Sequence, residues 1–332
     1  MKDQIRDIVN QLKMLPTELF ADIIISINEI AASRNNSKPL PCPHCNGKSI
    51  RHGHKDGKQR YLCKVCGRTF VETTNTIMRY SHYDKGIWEA ILEDTLDGNA
   101  LSWSEKRLGI SHDAAFHMRH KILCAIEQTV SAEHKNLGGV CELDDTFVLE
   151  SYKGKALPKN FWRKARKHGA KAQKRGISNE YICICAGIQR DSTEGLSAFA
   201  KATNRAKPSG QEIADAFSDV IADGTLVLTD GHKGYRQLET VIDCQVKDTT
   251  RETSSFYNLN SINGLHSFIK QRYTFYKGVA TKFLNRYSAL FEVAYRRQNE
   301  YRSAISSTLL NASRISRYQT IKQVAGFGLV SL

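Results

Sequence analysis

The chain has 332 residues, 41% of them apolar and 25% charged, and its 48 Lys and Arg against 34 Asp and Glu give a net charge of +14. That length allows two or three domains with their own cores, and the composition is that of an ordinary soluble globular protein. The basic balance calls for a polyanionic partner, nucleic acid first, while nine cysteines in so long a chain exclude a disulfide framework.

The start, Met1-Lys-Asp-Gln-Ile-Arg-Asp, mixes charge signs and lacks a secretory hydrophobic region. Ile23-Ile24-Ile25 is far too short to span a bilayer, so no membrane partner is expected. Cys124, Cys141, Cys183, Cys185 and Cys244 fall in apolar helix or strand patterns, as buried free thiols do. A reducing compartment follows, cytoplasmic and nucleoid-associated when on DNA.

Residues 1–40 form an N-terminal helical segment. Ile5, Val9, Leu12, Leu19, Ile23, Ile27 and Ile30 recur at helical spacing around a break at Pro16, followed by a Ser, Asn and Pro linker. Residues 41–73 carry Cys42-x-x-Cys45 and Cys63-x-x-Cys66, the spacing of two thiolate turns that close a tetrahedron around one structural Zn2+. Lys48, Arg51, Lys55, Lys58, Arg60, Lys64 and Arg68 make this ribbon basic, which fits DNA contact. With the cysteines filling the site, His44, His52 and His54 are left to solvent or phosphate.

Between 74 and 135 the pattern is helical. The stretch from Leu101 to Leu123 reads as helix, Gly-containing turn and second helix, with Ser111 as N-cap. Over Asp113–Ala125, Ala115, Met118, Ile122 and Ala125 face a core. His117, Arg119, His120 and Lys121 are left exposed, and Arg119, His120 and Lys121 are candidate DNA contacts.

A mixed α/β domain is predicted over 136–300, with strands Val140–Leu149, Tyr181–Gln189, Leu196–Ala202 and Leu226–Thr229 and helices Gln211–Ala222, 260–273 and 280–299. An insertion at 153–175 holds ten Lys or Arg and no acid, with Phe161 and Trp162 among them. Arg163, Lys164, Arg166, Lys167, Lys174 and Arg175 are its candidate phosphate contacts. The tail, 301–332, offers only a possible final helix.

Period-two alternation in the first strand puts Glu142, Asp144 and Thr146 on one face and Leu143, Asp145 and Phe147 on the other. Three acids in an apolar strand are costly unless they bind a cation; of these, Asp144 on the polar face is the better ligand. Asp230 ends the buried run Thr225–Thr229. Downstream, Asn263, His266, Ser267 and Lys270 are spaced i, i+3, i+4, i+7 and stack on one helix face, opposite Ile262, Leu265 and Ile269. Such a helix can lay its polar stripe against two carboxylates from the sheet.

Glu142-Leu-Asp-Asp-Thr-Phe, Leu228-Thr-Asp-Gly-His-Lys-Gly-Tyr, Asn263-Gly-Leu-His-Ser-Phe-Ile-Lys and Lys277-Gly-Val-Ala-Thr-Lys-Phe-Leu-Asn-Arg-Tyr, in this order after the ribbon, resemble the DDE-type insertion-sequence transposases over roughly residues 40–300. The resemblance implies a multidomain α/β protein with a zinc ribbon and a helix-turn-helix before a ribonuclease-H-like core. It implies cleavage of terminal inverted repeats and strand transfer to target double-stranded DNA by a homodimer or larger assembly. Asp144, Asp230 and Asn263 are then ligands of two Mg2+ (or Mn2+) ions, assisted by His266 and Lys270. Asn263 stands where that family usually has Glu, and Asp145 where many members have Glu, so either acid of the 144–145 pair, and either Asn263 or His266, could complete the set. A non-catalytic regulator derived from a transposase and a ribonuclease-H-like nuclease or resolvase are the alternatives.

Overall fold

The computed structural model describes residues 39–132, 137–166, 170–190, 198–252, 254–276 and 278–296. The helices expected within 1–38, the tail and Lys167 lie outside them. The chain divides into two compact units, Met1–Thr74 and Asn75–Leu332.

The first unit is a three-stranded antiparallel ribbon of β1 (Ser49–Lys55), β2 (Lys58–Cys63) and β3 (Thr69–Val71) in sequence order. Tyr61 pairs with Phe70 across β2 and β3, and the rings stack at 5.4 Å. Among the described residues, those two rings, Cys42 and Cys63 form the ribbon's buried cluster with Leu40 against it, too small a core to hold a ribbon by itself.

The second unit opens with three helices, α1 (Lys85–Asp97), α2 (Leu101–Leu108) and α3 (His112–Ala132). Asp84 caps α1 by accepting from the Ile87 amide at 2.9 Å, and Trp88, Ile91, Leu92 and Leu96 form its buried stripe. Gly109, in the left-handed conformation at φ 63°, ends α2, and the Ser111 hydroxyl accepts from Ala114 N at 3.2 Å to start α3. The face of α3 expected to be exposed is not. Leu123, Cys124, Arg119 and His120 are buried as fully as Ala115, Met118 and Ile122.

The main sheet holds β4 (Val140–Leu149), β5 (Tyr181–Gln189), β6 (Ala198–Arg205), β7 (Thr225–Thr229) and β8 (Cys244–Asp248) in the order β6-β5-β4-β7-β8. β5 runs antiparallel to both its neighbours, β4 and β6, whereas β7 pairs in parallel with β4 and β8 in parallel with β7. Helix α4 (Gly210–Phe217) and a 3-10 turn over Lys233–Thr240 pack on one face, against Cys141, Leu143, Cys183 and Cys185. Helices α5 (Asn260–Phe275) and α6 (Leu284–Arg296), with α1 and α3, pack on the other, against Ile182, Ile184, Ala186 and Ile188. Covered on both faces, β5 reads as an unbroken apolar run.

α6 also closes an edge. Glu292 accepts from Ala200 N at 2.9 Å and Asn285 from Ala202 N at 2.8 Å, which occupies amide groups that the edge strand β6 would otherwise expose. β8 was not foreseen, because Cys244-Gln-Val-Lys-Asp248 is short and mostly polar; its parallel pairing with β7 makes it a strand.

Candidate active site

In the ribbon all four thiol sulfurs lie within 4.8 Å of one another, with Cys42 to Cys66 at 3.6 Å and Cys45 to Cys63 at 3.5 Å. Backbone amides point at the sulfurs, His44 N to Cys42 and both Val65 N and Cys66 N to Cys63, each at 3.4 Å. Donation from Cys66 N, and then from Val65 N, lowers the Cys63 thiol to about 6, toward the thiolate that a metal binds. The quartet fits a zinc ribbon.

The three acids of β4 have three different fates. Glu142 is fully buried: one oxygen pairs with Arg190 Nε and the other accepts from Ile262 N at 2.9 Å. The N-cap of α5, Leu259, offers no side-chain bond, so a carboxylate from the sheet occupies an amide of the first turn instead. Arg190 also donates to the Phe256 and Asn258 carbonyls, which holds the approach to α5. Replacing Glu142 with Ala leaves Arg190 without its carboxylate. The expected cost is about 3–5 kcal/mol, read as a lower urea midpoint; an unchanged midpoint would show that Glu142 is not the clamp.

Asp145 points to the α4 side of the sheet, where it accepts from Tyr235 Oη at 2.8 Å and faces His232 Nδ1 at 3.7 Å. Asp144 points to the α5 side. Its Oδ2 lies 3.7 Å from His266 Nδ1, and its Oδ1 accepts from Asp145 N at 2.8 Å. Burial, then the charges of Asp230 and Asp145, push the Asp144 carboxyl up to about 6 despite that amide and Lys270. Glu142 is thus neutralised by Arg190 and Asp145 is tied to Tyr235 behind the sheet, while Asp144 faces the α5 stripe.

Asp230 comes to the same end of the sheet through strand register. Val140, Cys141 and Glu142 pair in parallel with Leu226, Val227 and Leu228, and the same offset sets Asp144 level with Asp230 just past β7. Asp230 is exposed and accepts from His232 N at 3.0 Å. On α5, Asn263 and Lys270 are exposed while His266 between them is buried. Burial and then Lys270 lower the imidazole to about 4, so it is neutral at pH 7, and its Nε2 has no hydrogen-bond partner among the described residues. Carboxylate oxygens, an amide oxygen and a neutral imidazole are a donor set that fits a divalent cation.

The expected DNA-contact residues divide. Arg119 and His120 are each 2% exposed, which corrects the exposure read from the sequence. His120 lies against the Phe116 and Phe283 rings at 4.3 and 4.1 Å, with Arg286 Nη1 3.4 Å from its Nδ1. α6 covers the side of α3 that periodicity alone leaves to solvent. Lys121 donates to the Ile77 carbonyl at 3.2 Å. In the insertion, Arg163 pairs with buried Glu150 at 3.2 Å, and Arg166 donates to the Glu150 carbonyl at 2.8 Å and faces Glu180 at 3.5 Å. These two arginines anchor the insertion, while Lys164, Lys174 and Arg175 stay exposed. Anchored there, the insertion walls a cavity of about 920 Å³ whose lining includes Lys153, Lys155 and Lys270. The sequence reading missed Arg190, His232 and Tyr235; only their partnership with the β4 acids, far away in sequence, marks them.

No helix among the described residues is long and apolar enough to cross a membrane. In comparisons with known proteins, the chain is 25% identical over 228 residues to an uncharacterized protein in transposable element ISH50 of Halobacterium salinarum, covering 68% of this chain and 73% of that one. Among solved structures, a pre-cleavage Mos1 transpososome is 9% identical with a TM-score of 0.24, over 72% of this chain and 80% of that one. The Mos1 strand transfer complex is 11% identical with a TM-score of 0.26, over 72% and 79%. These two likenesses are too weak to bear on the fold. The stretch that holds the sheet, both aspartates and the α5 stripe is matched directly: residues 136–298 match the ISXO2-like transposase domain.

Proposed function

We propose that the chain is a transposase that binds the terminal inverted repeats of an insertion element, cleaves DNA at their ends and joins them to target DNA. The observation that carries this reading is the convergence of Asp144, the level position of Asp230 and the α5 stripe within a domain matched to transposases. The strand order, three antiparallel strands followed by two parallel ones, supports a ribonuclease-H-like core.

Mg2+ or Mn2+, two ions per site, supplies Lewis-acid stabilisation of the attacking and leaving oxygens when bound. Asp144 and Asp230 would hold the ions through hard carboxylate oxygens, and Asn263 would complete the set with a weaker, neutral amide oxygen. His266, one turn further along α5 and neutral at pH 7, assists that position. Lys270 contacts a phosphate oxygen beside the scissile bond. Lys164, Lys174, Arg175 and the basic ribbon take the phosphate backbone, with sequence-independent, salt-sensitive affinity. Handling two element ends calls for a dimer or larger assembly on DNA.

The test is incubation of the full chain with Mg2+, DNA carrying the inverted repeats that bracket its gene, and a plasmid target. Nicks confined to the repeat ends, followed by joined products, are expected. Cutting that ignores the repeats would make the protein a nuclease or resolvase, and binding without cutting a regulator.

A further inference from the structure

Asp145 looks like a spare catalytic acid in the sequence, yet its surroundings give it a different task. It lies on the face of β4 opposite Asp144, among groups belonging to the turn that carries Asp230. Tyr235, completely buried, donates its hydroxyl to Asp145 Oδ1 at 2.8 Å. Asp145 Oδ2 faces His232 Nδ1 at 3.7 Å, longer than a hydrogen bond. The His232 ring meets the Tyr235 ring edge-on at 5.9 Å, and the backbone amide of His232 donates to Asp230 Oδ1 at 3.0 Å.

The turn is also fixed from its other side. Gly231 has φ +85°, and a Cβ there would stand 2.7 Å from the Asp248 carboxylate, so any other residue would be strained and would have to push the Asp248 side chain aside. Asp230 itself is exposed, and among the described residues its side chain bonds only within its own turn. Its direction is therefore set by the residues that follow it.

From this the geometry points to a positioning lock: Asp145, Tyr235 and His232 hold the Asp230 turn from behind the sheet, so that the carboxylate of Asp230 stays level with Asp144. The inference rests on the proposed reading of Asp230 as a metal ligand. On this reading the stretch from Asp230 to Tyr235 is one unit: its first residue would hold the cation and its last bonds the neighbour of Asp144. Cys183 and Cys185 bring their sulfurs within 4.8 Å of the Asp145 carboxylate. Both are buried in the apolar cluster behind the sheet, where Asp145 already accepts from Tyr235, so the trio is part of the lock's packing.

The test measures Mn2+ affinity of the zinc-loaded, DNA-free full chain by electron paramagnetic resonance, beside its melting temperature. Tyr235→Phe keeps the ring and removes one hydroxyl; the lock predicts a roughly 10–100-fold weaker Mn2+ affinity, the range for groups that orient a metal ligand. Asp145→Ala should weaken it at least as much, because His232 loses its partner too, and the double variant no further than Asp145→Ala, because Tyr235 acts through Asp145. Asp145→Asn, whose amide oxygen still accepts from Tyr235, should stay within about threefold of wild type by keeping that bond. A melting temperature lowered by Tyr235→Phe with Mn2+ affinity unchanged would reduce Tyr235 to a packing residue and overturn the lock. A second equivalent of zinc lost on Cys183→Ala would make the Asp145 cluster a metal site, and overturn it too. If wild type itself binds no Mn2+ and cuts no DNA, the reading of Asp230 as a ligand fails instead.

Discussion

Replacing Asp144 with Asn should make the metal-free protein more stable and its DNA cleavage at least ~1,000-fold slower, since loss of metal-borne charge stabilisation is worth several kcal/mol. The Asp144 carboxyl titrates at about 6 against an ordinary 3.8, because burial and the nearby Asp230 and Asp145 charges disfavour its ionised form. A carboxyl whose folded pKa is raised contributes stability that is fully present below about 3.8 and is lost as pH rises through about 6. At pH 7 the charge is a burden, of about 1–2 kcal/mol once the solvent screening of its exposed part is discounted. Asn removes it, so the melting temperature of the metal-free variant rises by a few degrees. Saturating Mg2+ should raise the wild type similarly at pH 7 and less at pH 5, where protons compete for the same carboxylate.

His266 runs the other way. Its folded pKa of about 4 lies below its ordinary 6.5, so its contribution is present above 6.5 and lost as pH falls through about 4. Between those limits the two groups oppose each other in the wild type, and Asp144→Asn should expose the acid loss due to His266. Cleavage by Asp144→Asn within tenfold of wild type would remove Asp144 from the site.

The ribbon should respond as sharply to loss of its metal. Its buried cluster is two rings and two cysteines, so most of its folding free energy comes from the ion, on a scale of ~10–16 kcal/mol. Cys63→Ser should take zinc from one per chain to none and make residues 41–73 the first sites of proteolysis, while the melting transition of the larger unit is kept. Retention of one zinc per chain by the variant would contradict the four-thiol site.

What the sequence made legible is local. The two C-x-x-C turns, the Ser111 cap and the i, i+3, i+7 stripe of α5 are all set within a few residues, and each stands where spacing predicts it. What it concealed depends on partners far along the chain. Glu142 reads as a possible ligand until Arg190, 48 residues on, takes its charge. Asp145 reads the same way until Tyr235 reaches it from 90 residues away. α3 looks amphipathic because its periodicity cannot know that α6 covers the other side, with Arg286 reaching His120 across 166 residues. The ten basic residues of the insertion read as one surface, yet a buried acid, Glu150, claims Arg163 and Arg166 as anchors. In each case a charge that looks available for function is bound in a tertiary ion pair or buried by a helix.

Asp230 offers the most direct test, since it is exposed and its one described hydrogen bond is within its own turn, so losing its charge should leave the fold intact. Cleavage of DNA bearing the element's inverted repeats is to be measured for wild type and Asp230→Asn, each with Mg2+ and with EDTA. The account predicts end-specific nicking by wild type only with Mg2+, and loss of at least ~1,000-fold in Asp230→Asn at an unchanged melting temperature. Equal cleavage by the two proteins would contradict it.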